Sequence, residues 1–72
     1  MSKFKKEVEK FEKLFGYGSF RPLKNKVEVR VKDLDQGLDN ARKIIINNNL
    51  NLRIGATTPQ LRSFDLEEKL CQ

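Results

Sequence analysis

The sequence predicts a mainly α-helical chain with one short strand, a small and extended helix–strand–helix–helix arrangement that depends on a partner. Three segments carry apolar residues at helical spacing, whereas one segment alternates clearly with period two. A chain of 72 residues buries only about 60–65% of the surface that its unfolded form exposes. One cysteine and no histidine exclude an internal disulfide and a Cys/His zinc site. We therefore expect a partner surface to supply the missing stability.

The N-terminal segment, residues 1–15, is predicted to be an amphipathic helix over residues 2–15. Ser2 is placed to cap its start and Gly16 to end it. Its apolar residues recur at i, i+4, i+7 and i+11, which is one helix face: Phe4, Val8, Phe11 and Phe15. We predict that this stripe contacts a partner protein, because the remaining chain offers little apolar surface to cover it. The alternative is a helix face packed on the protein itself.

Residues 16–26 are predicted to form an extended linker, because Gly16, Gly18 and Pro22 interrupt regular structure. Two aromatic residues, Tyr17 and Phe20, alternate there with basic residues. Aromatic rings and cations on a mobile segment suit stacking on unpaired bases and contact with phosphates. We expect both rings to lie at RNA; the alternative is that they fold back onto the core.

Residues 27–72 are predicted to be a strand–helix–helix unit. Val27, Val29 and Val31 alternate with polar residues, which is typical of a half-buried strand over 27–32. A single strand must pair within the chain, with a second copy or with a partner. The next helix, over 34–49, has Asp33 as its N-cap and Gln36 at the capping-box position.

The end of the chain is predicted to be a third helix over residues 59–70. Thr58 and Pro59 form a favourable N-cap and first helical position. Leu61, Phe64 and Leu70 would then lie roughly together. Residues 51–54 alternate and are compatible with a short strand before the turn.

The positive charge is concentrated in the N-terminal part of the chain. Residues 1–32 hold ten basic and four acidic residues, a net charge of +6, whereas residues 33–72 hold five basic and six acidic residues. A basic half on a small chain indicates a polyanionic partner, most often a nucleic acid. An ordinary solubilising charge is the alternative.

Several classes of function are not expected from this sequence. No apolar run approaches the roughly 20 residues of a membrane span, and no secretory signal is visible. The lack of histidine and the small scaffold make an enzyme, a bound cofactor, a metal site or a small-molecule substrate unexpected. Cys71 has no base near it in the sequence.

Residues 27–50 resemble the start of the twenty-first small-subunit ribosomal protein family of bacteria and organelles. The family's V-x-V-R strand is matched by residues 27–30 and its D-Q-A-L helix start by residues 35–38, with Arg42 and Lys43 at its basic pair. Gly37 replaces the family's alanine and Asn49 its turn glycine. The family's Arg-rich continuation and basic tail have no counterpart here.

The resemblance implies a structural constituent of the small ribosomal subunit that takes part in translation, in a mitochondrion or a bacterial-type cytoplasm, and that could be phage-encoded. Its expected partners are ribosomal RNA and neighbouring ribosomal proteins. Basic residues on or beside the matching strand and helix are predicted to contact RNA: Arg21, Lys24, Lys26, Arg30, Lys32, Arg42, Lys43 and Arg53.

Two other functions fit the sequence. One is a DNA-binding ribbon–helix–helix dimer, in which the strand over 27–32 pairs with its copy and enters the major groove. The other is a small phage or host interaction protein that modulates a protein target through its N-terminal helix.

Overall fold

Helices and strands follow the order α–β–β–α–β–β along the chain. The computed structural model describes residues 3–69. Its elements are α1 (Lys3–Phe15), β1 (Ser19–Pro22), β2 (Lys26–Arg30), α2 (Leu34–Asn47), β3 (Leu52–Thr58), a 3-10 turn (Pro59–Leu61) and β4 (Ser63–Glu68).

The four strands form one antiparallel sheet in the order β1-β2-β4-β3. Two hairpins, β1–β2 and β3–β4, therefore meet through the central pair β2–β4. Val29 is paired with Phe64 and Val27 with Leu66 in that central ladder, and all four side chains are buried. Both helices cover this apolar face, and the alternate positions of the strands form a polar face on the other side.

The prediction of a mainly α-helical chain with one short strand is wrong. The largest error lies in the expected third helix, where residues 63–68 form β4. Buried Phe64 and Leu66 alternate there with half-buried Asp65 and Glu67, which is the period of a strand. The Thr58–Pro59 signal starts only one 3-10 turn, which Arg62 ends in the left-handed conformation. Leu70, Cys71 and the capping residue Ser2 lie outside the described residues.

The expected linker and the expected extended shape are also corrected. Part of the 16–26 segment is the edge strand β1, and its hairpin turn is closed by the Leu23 N–H, which donates to the Lys26 carbonyl at 2.8 Å. Pro22 is tolerated because an edge strand does not need every N–H for pairing. The radius of gyration is 11.2 Å, which is the size of a compact chain of this length.

The N-terminal helix covers the sheet with the same apolar stripe that the sequence assigned to a partner. Phe11 is fully buried, Val8 and Phe15 nearly so, and Phe4 packs at the border of the core. Phe11 and Phe15 stack with ring centroids 5.1 Å apart. The sheet supplies the apolar surface that a single strand could not, so the chain builds its core without the partner that the sequence predicted.

The prediction of a helix that begins after Asp33 is confirmed by α2. The Asp33 Oδ1 accepts a hydrogen bond from the Gln36 N–H at 3.1 Å. At the other end, Asn49 takes a left-handed φ of 51°, and the Leu50 N–H donates to the Ile45 carbonyl at 3.0 Å. Asparagine is the residue after glycine that best tolerates this helix-ending conformation, which explains the helix end at Asn47.

Candidate nucleic-acid interface

A groove of about 920 Å³ opens at the end of the sheet where β2 stops and β4 begins. Its walls are the loop before β1, the residues that lead from β2 into α2, the first half of α2 and the turn before β4. The central β2–β4 pairing brings these segments together, because it sets Arg30 opposite Ser63.

Three cations line this groove: Arg30, Lys32 and Arg62. All three are exposed, and none of them forms an ion pair with another residue in the part of the chain that the structure describes. The only carboxylate in the lining, that of Asp33, caps α2. The groove therefore carries more positive than negative side chains in its lining.

Arg62 holds its place in the groove through an unusual backbone conformation. Its φ and ψ are 52° and 47°, a region that non-glycine residues visit only occasionally. Its carbonyl accepts a hydrogen bond from the Val31 N–H at 2.9 Å, which ties the turn to the end of β2. This hydrogen bond and the left-handed backbone at Arg62 fix the turn that carries its side chain at the groove.

Tyr17 provides a flat aromatic surface at the mouth of the groove. One face of its ring stacks on Phe15 with centroids 4.1 Å apart, and the Asn40 Nδ2 donates a hydrogen bond to its hydroxyl at 2.8 Å. The residue is still 45% exposed. A ring fixed in this way can stack a planar group on its free face with little loss of conformational entropy.

Gly18 allows the loop that carries Tyr17 to lie against the sheet. Its φ is +86°, and a Cβ at this position would lie 2.9 Å from the Arg30 carbonyl oxygen. Only glycine combines this backbone conformation with so close an approach. The loop, in which the sequence identified signals that interrupt regular structure, thus lies against the end of β2 and carries Tyr17 into the lining of the groove.

The other cations predicted to contact RNA are spread over the molecule. Arg21 and Lys24 are exposed on β1 and its turn, and Arg42 lies in a second groove beside β3. Three more are engaged in ion pairs: Lys26 with Asp65 at 3.2 Å, Lys43 with Asp39 at 3.1 Å and Arg53 with Glu67 at 2.7 Å. Of the eight predicted cations, only Arg30 and Lys32 share the groove with Tyr17.

The ring of Phe20, which the sequence predicted to lie at RNA, packs against the core. It is half-buried and meets Phe11 and Phe15 edge-on, with centroids 6.0 and 6.3 Å apart. Phe20 faces the helices because it lies opposite Val29 in the β1–β2 ladder. Side chains at alternate strand positions point to opposite faces, and this rule puts Phe20 inside and Arg21 outside.

Sequence reasoning did not select Arg62 as a binding residue. Its distance from Arg30 along the chain hides their proximity, which exists only because β4 pairs with β2. The alternation over residues 63–68, once recognised as a strand, would have placed the preceding turn at one end of the sheet.

Comparisons with known proteins add no assignment: no protein-family model, curated protein or solved structure matches this chain. Within residues 3–69, no helix is long and apolar enough to cross a membrane. The same residues contain no group of three or more acidic, cysteine or histidine side chains arranged to hold a metal ion.

Proposed function

We propose that the protein is a non-enzymatic RNA-binding protein that holds a short single-stranded segment in the groove at the end of β2. The observation that carries this proposal is that one groove is lined by three cations, Arg30, Lys32 and Arg62, and by Tyr17, which is 45% exposed. None of the three cations is paired with an acidic residue in the described chain. Phosphates bind the cations, and an unpaired base stacks on the ring.

A single strand fits this arrangement better than a duplex does. In a duplex the bases are stacked on one another, so a ring such as Tyr17 finds no free base face. A ribbon–helix–helix dimer needs a strand with a free edge, whereas β2 has β1 on one side and β4 on the other. The geometry therefore favours a single strand over the duplex-binding ribbon–helix–helix alternative.

We propose the small ribosomal subunit as the setting, with ribosomal RNA and ribosomal proteins as partners. This part of the proposal rests on the resemblance across residues 27–50 alone. Those residues form β2 and α2, which supply Arg30 and Lys32 and the helix start beside the groove.

The binding proposal is tested by titrating a fluorescently labelled single-stranded RNA with the protein at several salt concentrations. Replacing Arg30, Lys32 and Arg62 together by alanine is expected to weaken binding and to reduce the salt slope by about 2, at about 0.7 for each phosphate that is no longer neutralised. The matched control replaces three exposed α1 lysines, Lys5, Lys6 and Lys13. An equal effect of both triple variants would refute the groove as the site.

The stacking component is tested separately at Tyr17. Tyr17→Ala is expected to weaken RNA binding by about 1–3 kcal/mol with an unchanged salt slope. Tyr17→Phe keeps the ring and loses only the hydrogen bond from Asn40, so it is the control and retains most of the affinity. The proposed location on the small ribosomal subunit is tested by co-sedimentation of the tagged protein with small subunits. We expect the wild-type protein to co-sediment and the triple variant not to.

A further inference from the structure

The two edges of the sheet differ in how well they are protected against pairing with another strand. Edge strand β1 has only four residues and includes Pro22 and the cation Arg21, features that discourage added strands. Edge strand β3 has seven residues and no proline. Its one charged residue, Arg53, is neutralised by Glu67 at 2.7 Å. Within residues 3–69, no strand lies on the outer side of β3.

A groove with both apolar and polar lining runs between β3 and the C-terminal half of α2. It is lined by Ile45, Ile46 and Ile54, and also by Arg42, Arg53, Gly55 and Thr57. Ile46 is 75% exposed, the largest value among the exposed large apolar residues of the described chain. A strand added to β3, with a helix above it, would remove this side chain from water.

The outer face of α2 is complementary in charge to itself. Asp35, Asp39, Arg42 and Ile46 are all exposed and recur at i, i+4, i+7 and i+11, which is one helix face. The first half of this face is acidic and the second half is basic and apolar. Two such helices in antiparallel orientation would set the acidic half of each against the basic half of the other.

We propose that the protein forms a two-fold symmetric homodimer in which β3 of one copy pairs antiparallel with β3 of the second copy. The sheet then has eight strands, and the two α2 helices lie antiparallel on the same side of it. A single two-fold axis can relate both the two β3 strands and the two α2 helices. Arg42 and Gly55, which lie near the middles of α2 and β3, line the same groove, so the two elements are centred close to each other. A register shift in β3 between Ile54 and Thr57 shortens the new ladder, so the helix contact supplies the rest of the interface.

The test measures the molar mass of the whole chain in solution by sedimentation equilibrium. We expect the wild-type protein to approach twice its 8.4 kDa chain mass as concentration rises. Asp39→Arg and Arg42→Asp each create facing like charges and are expected to raise the dissociation constant about tenfold or more. In a mixture of the two variants, the introduced arginine of one chain faces the introduced aspartate of the other, so a 1:1 dimer is expected to be restored.

Two controls keep the test decisive. Lys13→Asp, at an exposed position of α1, changes the net charge as Arg42→Asp does and is expected to leave the dimer intact. Circular dichroism checks that every variant is folded. A wild-type chain that stays monomeric overturns the proposal, and so does a dimer that neither charge reversal weakens. The readout needs no RNA and none of the groove cations, so it is independent of the proposed function.

Discussion

The two halves of the chain, α1–β1–β2 and α2–β3–β4, have the same order of elements but attach their helices to the shared sheet differently. α1 inserts the large side chains of Val8, Phe11 and Phe15 into the core, whereas the fully buried positions of α2 are Gly37 and Ala41. The first helix thus buries large side chains, whereas the second approaches the sheet closely at two small residues and packs partly buried leucine and isoleucine side chains against the core. The free energy of unfolding should therefore fall when a buried side chain of α1 is shortened, and also when a small buried residue of α2 is replaced by a larger one.

The largest effect is expected in the first half, from Phe11→Ala. Phe11 is fully buried, and removal of such a ring costs about 3–5 kcal/mol of unfolding free energy because a cavity remains. The total free energy of unfolding of a domain of this size is only slightly larger than this loss. Urea denaturation followed by circular dichroism should therefore show a largely unfolded chain. Leu14→Ala on the same helix, where Leu14 is 51% exposed, is the control and should change stability by about 0.5 kcal/mol or less.

A smaller loss of stability is expected when a hydrogen bond between the two halves is removed. The Glu7 Oε1 of α1 accepts a hydrogen bond from the Asn51 N–H, just before β3, at 2.7 Å. Glu7→Ala leaves this part-buried N–H without its partner and should cost about 1.5–3 kcal/mol in the same denaturation experiment. Glu7→Gln retains an acceptor oxygen and should lose less, and an equal loss in both variants would contradict the hydrogen bond as the cause.

In the second half, Gly37→Ala should destabilise the protein although alanine favours helices. A Cβ at Gly37 would lie 2.9 Å from Cγ2 of buried Val31. Overpacking of this kind costs about 1–3 kcal/mol, whereas the gain in helix propensity is about 1 kcal/mol, so a net loss of about 1 kcal/mol is expected. Combining it with Val31→Ala should cost less than the sum of the two single changes, and a gain from Gly37→Ala alone would refute the close approach.

The smallest effects are expected from surface ion pairs, where the halves should not differ. Lys10 lies 3.7 Å from Glu7 on α1, and Lys43 lies 3.1 Å from Asp39 on α2. Both lysine side chains are about two-thirds exposed, although Glu7 is only 12% exposed and Asp39 is 61% exposed. Ion pairs whose cation lies in water contribute about 1 kcal/mol or less. Thermal unfolding of Lys10→Ala and Lys43→Ala should therefore resemble wild type, with any difference vanishing at high salt.

The elements that the sequence predicted correctly are those in which local signals agree. In α2 the cap at Asp33 and the apolar spacing both indicate a helix. The valines of the predicted strand alternate without interruption, although β2 covers Lys26–Arg30 rather than residues 27–32. In β4 the signals conflict: Pro59 favours a helix start, and this outweighed the alternation around Phe64 and Leu66. β1 has four residues and ends in a proline, so it carries too little pattern to be recognised as a strand.

In the candidate site, too, some residues could be predicted from local sequence patterns and others could not. The sequence singles out Tyr17 because it lies in the segment 16–26, where aromatic and basic residues alternate. It singles out Arg30 and Lys32 because they lie on the strand that resembles the ribosomal family, and the structure places all three in the lining of one groove. Arg62 reaches them only through pairing between strands from opposite halves of the chain. No local pattern carries such information, and the same limit hid the burial of Phe20.

The central pairing of β2 with β4 also has a kinetic consequence. The β1–β2 and β3–β4 ladders connect neighbouring strands through short turns, and hairpins of this kind form in microseconds. The β2–β4 ladder joins Arg30 to Ser63 and Lys26 to Glu67, so its formation must close a loop that contains all of α2 and β3. Folding should therefore be limited by the docking of two preformed hairpins, and substitutions at Val29 and Phe64 should slow folding, whereas those on the edge strands should mainly speed unfolding.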